Sequence, residues 1–166
     1  GDLVVLLGEN TCELGASEYL RVIFGLEEGR PPMVDLDREK RLLDCCLLAI
    51  GQGLFSSAHD VSEGGLAVAI AESCMAGKLG FNGEITADIR PDALIFGEGK
   101  YSVVASLDEV NLAVLMKIVD EMGIKVTLLG RVVPENFTVE VRDSKGDYKR
   151  IELSVQEMVE AWSKSL

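Results

Sequence analysis

Ala58-His59-Asp60-Val61-Ser62-Glu63-Gly64-Gly65-Leu66-Ala67-Val68-Ala69 joins a short strand or turn to a glycine pair and the start of an apolar helix. Two consecutive glycines at a helix start allow close backbone approach and leave N–H groups pointing outward. Because the helix dipole adds positive potential there, we expect Ser62, Gly64 and Gly65 to be able to hold a phosphate. Asp60 could hold a metal ion that accompanies the phosphate, and His59 could donate to a phosphate oxygen or act as an acid or base.

The same residues also have a purely structural interpretation. Asp60 or Ser62 can cap the helix, and the Gly64-Gly65 pair can serve only tight packing against a sheet. A glycine pair before a helix is a weak motif, and a lone histidine is more often structural than catalytic. From the spacing alone, both interpretations stay open.

Two further glycine-bearing stretches are candidates for a ligand site. In Phe96-Gly97-Glu98-Gly99-Lys100 an acid and a base are flanked by glycines ahead of a strand, so Glu98 could reach a metal or a ligand hydroxyl. In Gly8-Glu9-Asn10-Thr11 and Leu14-Gly15-Ala16-Ser17-Glu18-Tyr19 a polar loop enters a helix for which Ser17 is an evident cap. An ordinary turn and a solvated loop are the structural alternatives for these stretches.

Hydrophobic periodicity predicts strands and helices along the whole chain. Strands are predicted at 3–7, 80–89 (an edge strand), 101–107, 124–129, 137–141 and 148–153, with a charged hairpin turn at 142–147. Helices are predicted at 17–25, from Asp35 or Asp37 to Leu54, at 66–76 with Gly77 following its end, from Asp108 to Gly123, and from a capping box Ser154-x-x-Glu157 onward. Residues 101–130 are predicted to form a β-α-β unit. Together these elements predict a single α+β domain over 1–166, a layered α/β sandwich with a mixed sheet.

Apolar faces are predicted for three of these helices from the helical period. They are Leu43, Cys46, Leu47, Ile50 and Leu54 in the first long helix; Val110, Val114, Ile118 and Met122 in the next; and Val155, Met158, Val159 and Trp162 in the last.

Composition limits the classes of function. The formal net charge is −12 and no basic stripe with interleaved aromatics occurs, which argues against a nucleic-acid surface. The four cysteines lack CxxC spacing, so we expect neither a zinc site nor a disulfide framework. Free cysteines of this kind predict a reducing, cytoplasmic compartment. No apolar run approaches the ~18 residues that span a bilayer, and the start does not read as a signal peptide. We expect the chain to be a fragment of a longer one.

Taken together, the three stretches are far more specific than any one of them. The segment 58–69 closely resembles a signature of the phosphoribosylformylglycinamidine synthase family, also called formylglycinamide ribonucleotide amidotransferases, in its synthetase subunit. The segments 8–11, 14–20, Gly29-Arg30-Pro31-Pro32 and 96–99 resemble the same family in the same order, and the closing helix resembles its C-terminus. The likeness covers essentially the whole chain and is greatest to the C-terminal lobe of the second of two fused repeats.

The resemblance implies a fold like the C-terminal domain of aminoimidazole ribonucleotide synthetase. It implies an ATP-dependent ligase of purine biosynthesis that uses ATP and Mg²⁺ to convert formylglycinamide ribonucleotide and glutamine-derived ammonia to formylglycinamidine ribonucleotide, ADP and phosphate. The implied partners are N-terminal ATP-binding lobes of the same chain, a glutaminase subunit and a small accessory subunit. The resemblance also implies a phosphate or nucleotide site formed by His59, Ser62, Gly64, Gly65, Glu98 and Gly99, with Asp60 as a metal ligand. The isolated fragment is expected to be inactive.

The chain departs from the family pattern in one stretch. Gly99-Lys100 stands where the first repeat carries a serine-glutamine pair after the acid, so Asp60 and Glu98 are either relics or part of an auxiliary nucleotide site. Two other functions remain as alternatives: a non-catalytic scaffold lobe, and the matching lobe of a superfamily relative such as selenophosphate synthetase or thiamine monophosphate kinase. An anion on the N–H groups of Gly64 and Gly65 would favour the ligand interpretation, whereas a side chain packed over them would remove it.

Overall fold

A computed structural model describes residues 1–86, 88–99, 101–142 and 148–164. Within these ranges the strands are β1 (Leu3–Gly8), β2 (Ser57–Asp60), β3 (Gly80–Thr86), β4 (Ser102–Leu107), β5 (Val126–Val133), β6 (Asn136–Arg142) and β7 (Tyr148–Ser154). The α-helices are α1 (Leu36–Gly51), α2 (Gly65–Gly77), α3 (Pro91–Phe96), α4 (Leu112–Met122) and α5 (Val155–Lys164). A π-helical turn spans Leu20–Phe24, and a 3-10 turn spans Glu109–Asn111.

The seven described strands form one mixed sheet in the order β2-β4-β1-β5-β3-β6-β7. β3 and β6 pair in parallel, and the other neighbours pair antiparallel. Because β4 and β5 are both antiparallel to β1, they run parallel to each other with β1 between them. The predicted β-α-β unit is therefore present, with the first strand of the chain inserted into it.

Helices cover the sheet on both faces, so the predicted α+β sandwich with a mixed sheet is confirmed. Leu3, Val5 and Leu7 of β1 face α1 and α4, whereas Val4 and Leu6 contribute to the core beneath α2, α3 and α5. A strand buried on both faces is expected to be apolar at every position. This explains why the run at 3–7 shows no alternation.

The first long helix forms as predicted, but with a different buried face. The Asp35 carboxylate accepts hydrogen bonds from the N–H groups of Asp37 and Arg38, which confirms Asp35 as the cap of α1. The buried residues are Leu42, Cys45, Cys46 and Ala49. Of the predicted face, Cys46 and Leu54 are buried, whereas Leu43, Leu47 and Ile50 are exposed. The helix carries two apolar stripes, and the helical period alone does not say which one packs on the sheet.

The predicted edge strand at 80–89 is wrong in its position. β3 lies inside the sheet between β5 and β6, and β2 and β7 are the outer strands of the order. The weak alternation that suggested an edge comes from glycines packed against neighbouring backbone. A Cβ on Gly80 would lie 2.2 Å from the carbonyl oxygen of Asn136, and one on Gly83 would lie 2.1 Å from that of Leu129.

Two predictions about helix ends and faces also need correction. Gly77 is the last residue of α2 rather than the residue after it, and Lys78 takes the left-handed conformation with φ +52°. In α4 the buried residues are Leu115, Ile118 and Val119, so Ile118 was predicted correctly, whereas Val110 and Val114 are exposed. Gly123 ends α4 with φ +65°, as predicted.

The C-terminal elements follow the prediction closely. The Ser154 N–H donates to Glu157 Oε2 at 2.8 Å, and the Glu157 N–H donates to Ser154 Oγ at 3.2 Å, which confirms the capping box. The backbone hydrogen bond from Ser154 lowers the pKa of the Glu157 carboxyl. On α5 Met158 is buried and Val155 packs against the same core, but Val159 and Trp162 are largely exposed. The predicted turn at 142–147 lies, apart from Arg142, outside the described residues.

The cysteines behave as small buried hydrophobes rather than as a framework. All four are free thiols, and Cys45, Cys46 and Cys74 are buried in helices. Burial raises the pKa values of Cys46 and Cys74 to about 11. Over the described part of the chain, no helix has both the length and the apolar character that crossing a membrane requires.

Candidate functional site

The three glycine-bearing stretches meet at one place in the fold, at the N-terminus of α2. A Cβ on Gly65 would lie 2.7 Å from the carbonyl carbon of Phe96 and 2.8 Å from the oxygen of Gly97. A Cβ on Gly99 would lie 2.3 Å from Thr11 Oγ1. These glycines let the backbones of segments 8–18, 60–65 and 96–99 touch, which side chains at the same positions would prevent.

Glu98 ties these segments together through its carboxylate. Its Oε1 accepts hydrogen bonds from the N–H of Glu18 at 2.7 Å and from the N–H of Gly64 at 2.8 Å. Its own N–H donates to the carbonyl of Glu13 at 2.9 Å. One half-buried carboxylate thus joins the segment that leads into the π-helical turn (Leu20–Phe24) to the start of α2. Its negative charge lies near the N-terminal, positive end of each helical element.

Both N–H groups predicted to hold a phosphate have acceptors within the protein. The N–H of Gly64 donates to Glu98, and the N–H of Gly65 donates to the carbonyl of Ser62 at 3.1 Å. Both glycines have positive φ, +79° and +74°, so the turn that presents these groups depends on glycine. The Glu98 side chain thus occupies the Gly64 N–H, which counts against the ligand interpretation at that group. A phosphate there would have to displace this carboxylate, and the anion contact stays a prediction.

His59 also has an acceptor at each ring nitrogen. Nδ1 lies 2.7 Å from the carbonyl oxygen of Asp60, and Nε2 lies 3.1 Å from Glu72 Oε2 on α2. A carbonyl can only accept, so Nδ1 donates to it. The ring is thereby fixed between β2 and α2, and a phosphate at Nε2 would compete with the Glu72 carboxylate.

Asp60 and Ser62 are the predicted site residues that face solvent. The Asp60 side chain is 73% exposed, and Ser62 is exposed beside it. Among the residues that the structure describes, no group of three or more His, Cys, Asp or Glu side chains could hold a metal ion. Asp60 therefore offers a single carboxylate rather than a preformed metal cage.

The loop that faces this turn is held by side-chain contacts of Ser17 and Tyr19, of which only the capping by Ser17 was predicted. Tyr19 stacks on Phe96 with ring centroids 5.1 Å apart, and its hydroxyl donates to Asp92 Oδ2 at 3.2 Å. The Arg90 guanidinium, hydrogen-bonded to Asp92, lowers the pKa of that carboxyl. Ser17 is buried, and its hydroxyl accepts from the N–H of Leu20, as predicted for a cap. The spacing of Tyr19 and Phe96 in sequence carries no signal of this stack.

A cavity of about 410 Å³ lies between α2 and the sheet. Of the predicted site residues His59 lines it, together with mostly apolar side chains that include Ile70, Phe81 and Val104. The π-helical turn, whose approach Glu98 ties to the start of α2, carries the exposed apolar residues Val22, Ile23 and Phe24. An apolar rim beside polar groups is typical of a surface that another protein surface covers.

Comparisons with known proteins agree with this geometry. The family described as AIR synthase related protein, C-terminal domain, matches residues 1–142. Phosphoribosylformylglycinamidine synthase subunit PurL from Moorella thermoacetica is 37% identical over 166 residues, which is 100% of this chain but 22% of the relative. The chain thus spans about a fifth of the length of that curated relative.

Solved structures show the same fold at low sequence identity. The structure of Thermotoga maritima PurL complexed with FGAR has a TM-score of 0.72 at 19% identity, covering 95% of this chain and 28% of that one. The structure of Thermotoga maritima PurL complexed with ATP has a TM-score of 0.70 at 20% identity, covering 95% of this chain and 25% of that one.

Proposed function

The chain belongs to the family of AIR synthase related proteins, C-terminal domain, and from this premise we propose that it is a C-terminal lobe of phosphoribosylformylglycinamidine synthase. The observation that carries the proposal is the 37% identity to a PurL subunit over all 166 residues. The whole polypeptide would be an ATP-dependent carbon–nitrogen ligase of purine biosynthesis. It would convert formylglycinamide ribonucleotide, glutamine-derived ammonia and ATP to formylglycinamidine ribonucleotide, ADP and phosphate.

The role of this lobe in that enzyme would be to form one wall of a phosphate or nucleotide cleft. The exposed Asp60 and Ser62 stand at the N-terminus of α2, where the helix dipole favours anions. The apolar Val22, Ile23 and Phe24, in the turn that Glu98 ties to the start of α2, are exposed and would contact the opposite wall. N-terminal ATP-binding lobes of the same polypeptide would supply that wall.

The residues present fit a magnesium ion that is bound mainly through a nucleotide. Mg²⁺ usually keeps several waters and takes one or two carboxylates together with phosphate oxygens. Asp60 provides one exposed carboxylate, and its neighbour Ser62 provides a hydroxyl for a phosphate oxygen. A bound Mg²⁺ would supply neutralisation of phosphate charge.

The remaining predicted site residues would act by shaping the wall. Glu98 holds the Gly64 turn against the first helical turn, and Gly99 packs on Thr11. His59 is fixed between the Asp60 carbonyl and Glu72, which sets the position of the Asp60 backbone. In this proposal a phosphate reaches the Gly64 N–H only after the Glu98 carboxylate has moved away.

The proposal extends to partners and compartment. A glutaminase subunit would supply ammonia and a small accessory subunit would complete the complex, both in the cytoplasm. The isolated 166-residue chain would be inactive because it provides only one wall of the cleft. Hydrolysis of ATP above background by the pure chain would overturn this last point.

The test is a ligase assay on the full polypeptide that contains this chain. With ammonium in place of the glutaminase subunit, phosphate release should require formylglycinamide ribonucleotide, ATP and ammonium together. Phosphate release that does not depend on the ribonucleotide would overturn the proposal. For Asp60, nucleotide affinity and its magnesium dependence are compared between Asp60→Asn and Asp108→Asn, a matched change at an exposed cap remote from the cleft.

A scaffold lobe is the second candidate, and the internal hydrogen bonds of the glycine turn favour it. Glu98 and Ser62 already satisfy the N–H groups of Gly64 and Gly65. If Asp60→Asn leaves nucleotide affinity and magnesium dependence unchanged while the enzyme stays active, this lobe is a scaffold and Asp60 is structural.

A further inference from the structure

The α1 helix carries an apolar stripe that the 166-residue chain leaves uncovered. Leu36, Leu43, Leu47 and Ile50 are 75%, 52%, 67% and 54% exposed. With 3.6 residues per turn they fall within about 60° around the helix axis, so they form one line along α1. This stripe is about a third of a turn away from the buried face that packs on the sheet.

The exposure is unusual because α1 is already anchored on its other side. Leu42, Cys45, Cys46 and Ala49 pack over β1 and β4, so the helix does not need the second stripe to bind the sheet. An amphipathic surface helix normally presents charged and polar side chains opposite its core. A helix that is apolar on two sides is expected between two packed layers.

Two charged residues, Glu39 and Lys40, flank the stripe near its start. Lys40 lies on the same side of α1, and its ammonium pairs with the Asp44 carboxylate at 2.5 Å. The last turn of α1 carries no charged side chain at all. Beyond that turn, the Asn111 amide donates to the carbonyl of Leu54, which brings the 78% exposed Val110 close to the end of α1. The turn before α4 thus lies near the end of α1 and carries one more exposed apolar side chain.

We propose that the stripe of Leu36, Leu43, Leu47 and Ile50 is an interface with another lobe of the same polypeptide. This inference rests on the proposed function, in which the chain is one lobe of a longer protein. The length of a relative supports another lobe as the partner of the stripe. A PurL subunit matches the whole chain with only 22% of its own length, so most of that polypeptide lies outside the matched lobe. The stripe and the cleft motif lie on different elements, so the same polypeptide would contact this lobe at two places.

The experiment measures thiol labelling in the full polypeptide. Leu47→Cys places a thiol on the stripe, and Arg41→Cys places one on an exposed position about 120° from Leu47 around the same helix. Maleimide labelling is followed by tandem mass spectrometry, in native buffer and in urea. Since a covered thiol reacts slowly, Leu47→Cys should react about ten-fold or more slowly than Arg41→Cys in native buffer and equally in urea.

Two outcomes would overturn the proposal. Equal native rates for the two variants would mean that the stripe stays exposed in the full polypeptide. Protection of Leu47→Cys that disappears on dilution, with sedimentation showing a monomer–dimer equilibrium, would assign the stripe to a second copy. Neither outcome depends on ligase activity. If the stripe is protected in a full polypeptide that has no ligase activity, the interface is supported while the proposed function fails.

Discussion

The Glu98 carboxylate lies 2.8 Å from the N–H of Gly64, although 34 residues separate them in the chain. The same oxygen lies 2.7 Å from the N–H of Glu18. A single acid therefore determines how the loop before the first helical turn sits against the glycine turn of α2. The sequence motif is held in shape by an anion that belongs to the protein.

Removing this carboxylate should loosen the junction. Glu98→Ala leaves two backbone donors without their acceptor, and we expect a loss of about 1–3 kcal/mol in the free energy of unfolding. Glu98→Gln keeps an acceptor oxygen without the charge and should lose less. Urea denaturation measures both, with the exposed Glu13→Ala as the control. An alanine variant as stable as the control would show that Glu98 does not hold the junction.

The glycines at the junction should not tolerate a methyl group. Gly65→Ala places a Cβ 2.7 Å from the backbone of Phe96 at a φ of +74°, so we expect a cost of about 2–4 kcal/mol from clash and strain together. Thermal unfolding of the purified chain measures the change.

Gly51 is the matched control because it is also a helical glycine next to a helix end. A Cβ there meets nothing within 4 Å, and Gly51→Ala should be neutral or stabilising by about 0.5 kcal/mol. If Gly65→Ala unfolds at the same temperature as Gly51→Ala, the close approach to Phe96 is not a constraint on the fold.

The two faces of α1 should respond differently to truncation. Leu42 is 3% exposed and packs on the sheet, so Leu42→Ala should cost about 2–5 kcal/mol in the isolated chain. Leu43 is exposed in that chain, so Leu43→Ala should change its stability by less than about 0.5 kcal/mol. Chemical denaturation of the pair distinguishes the two faces, and equal losses would place Leu43 in the core.

Acid should weaken the anchor of the loop that carries Tyr19. The hydrogen bond from Arg90 holds the pKa of the Asp92 carboxyl below its ordinary value of 3.8. For a lowered pKa, the stabilising contribution is complete above the ordinary value and is lost as the pH falls through the folded-state pKa. Stability below pH 4 should therefore fall less steeply in Asp92→Asn than in the wild type.

The measurement is the midpoint of urea unfolding between pH 7 and pH 2. Because Arg90, the partner of Asp92, is 72% exposed and water screens the pair, we expect a small difference between the two slopes. An identical slope for Asp92→Asn and wild type would mean that another carboxyl dominates the acid response.

The elements that were predictable from sequence have local causes. The capping box at Ser154 and Glu157 and the left-handed end at Gly123 depend on residues within one turn of each other. Because these causes are local, the observed capping box and helix end agree with the sequence prediction. The family resemblance placed residues of segments 58–69 and 96–99 in one site, and the close approach of Gly65 to Phe96 and Gly97 gives that grouping a physical basis. The contact of Gly99 with Thr11, which adds the segment 8–18, was not predicted.

What the sequence did not predict depends on distant partners. The period of α1 fits two faces, and only the position of the sheet selects Leu42 over Leu43. The interior position of β3 depends on which strands lie beside Gly80 and Gly83. The acceptor of the Gly64 N–H could not be inferred from spacing, because Glu98 reaches it from a separate segment.

The position of β1 inside the sheet, between β4 and β5, has a consequence for the synthesis of the protein. Leu3, in the first strand of this lobe, lies opposite Leu107 of β4 and Arg131 of β5. A growing chain thus holds an apolar strand whose partners are made more than a hundred residues later. Pairing over such sequence distances is slow because a large loop must close first. During translation β1 would stay unpaired until β4 and β5 are made, so both hydrogen-bonding edges of an apolar strand would be exposed over that interval.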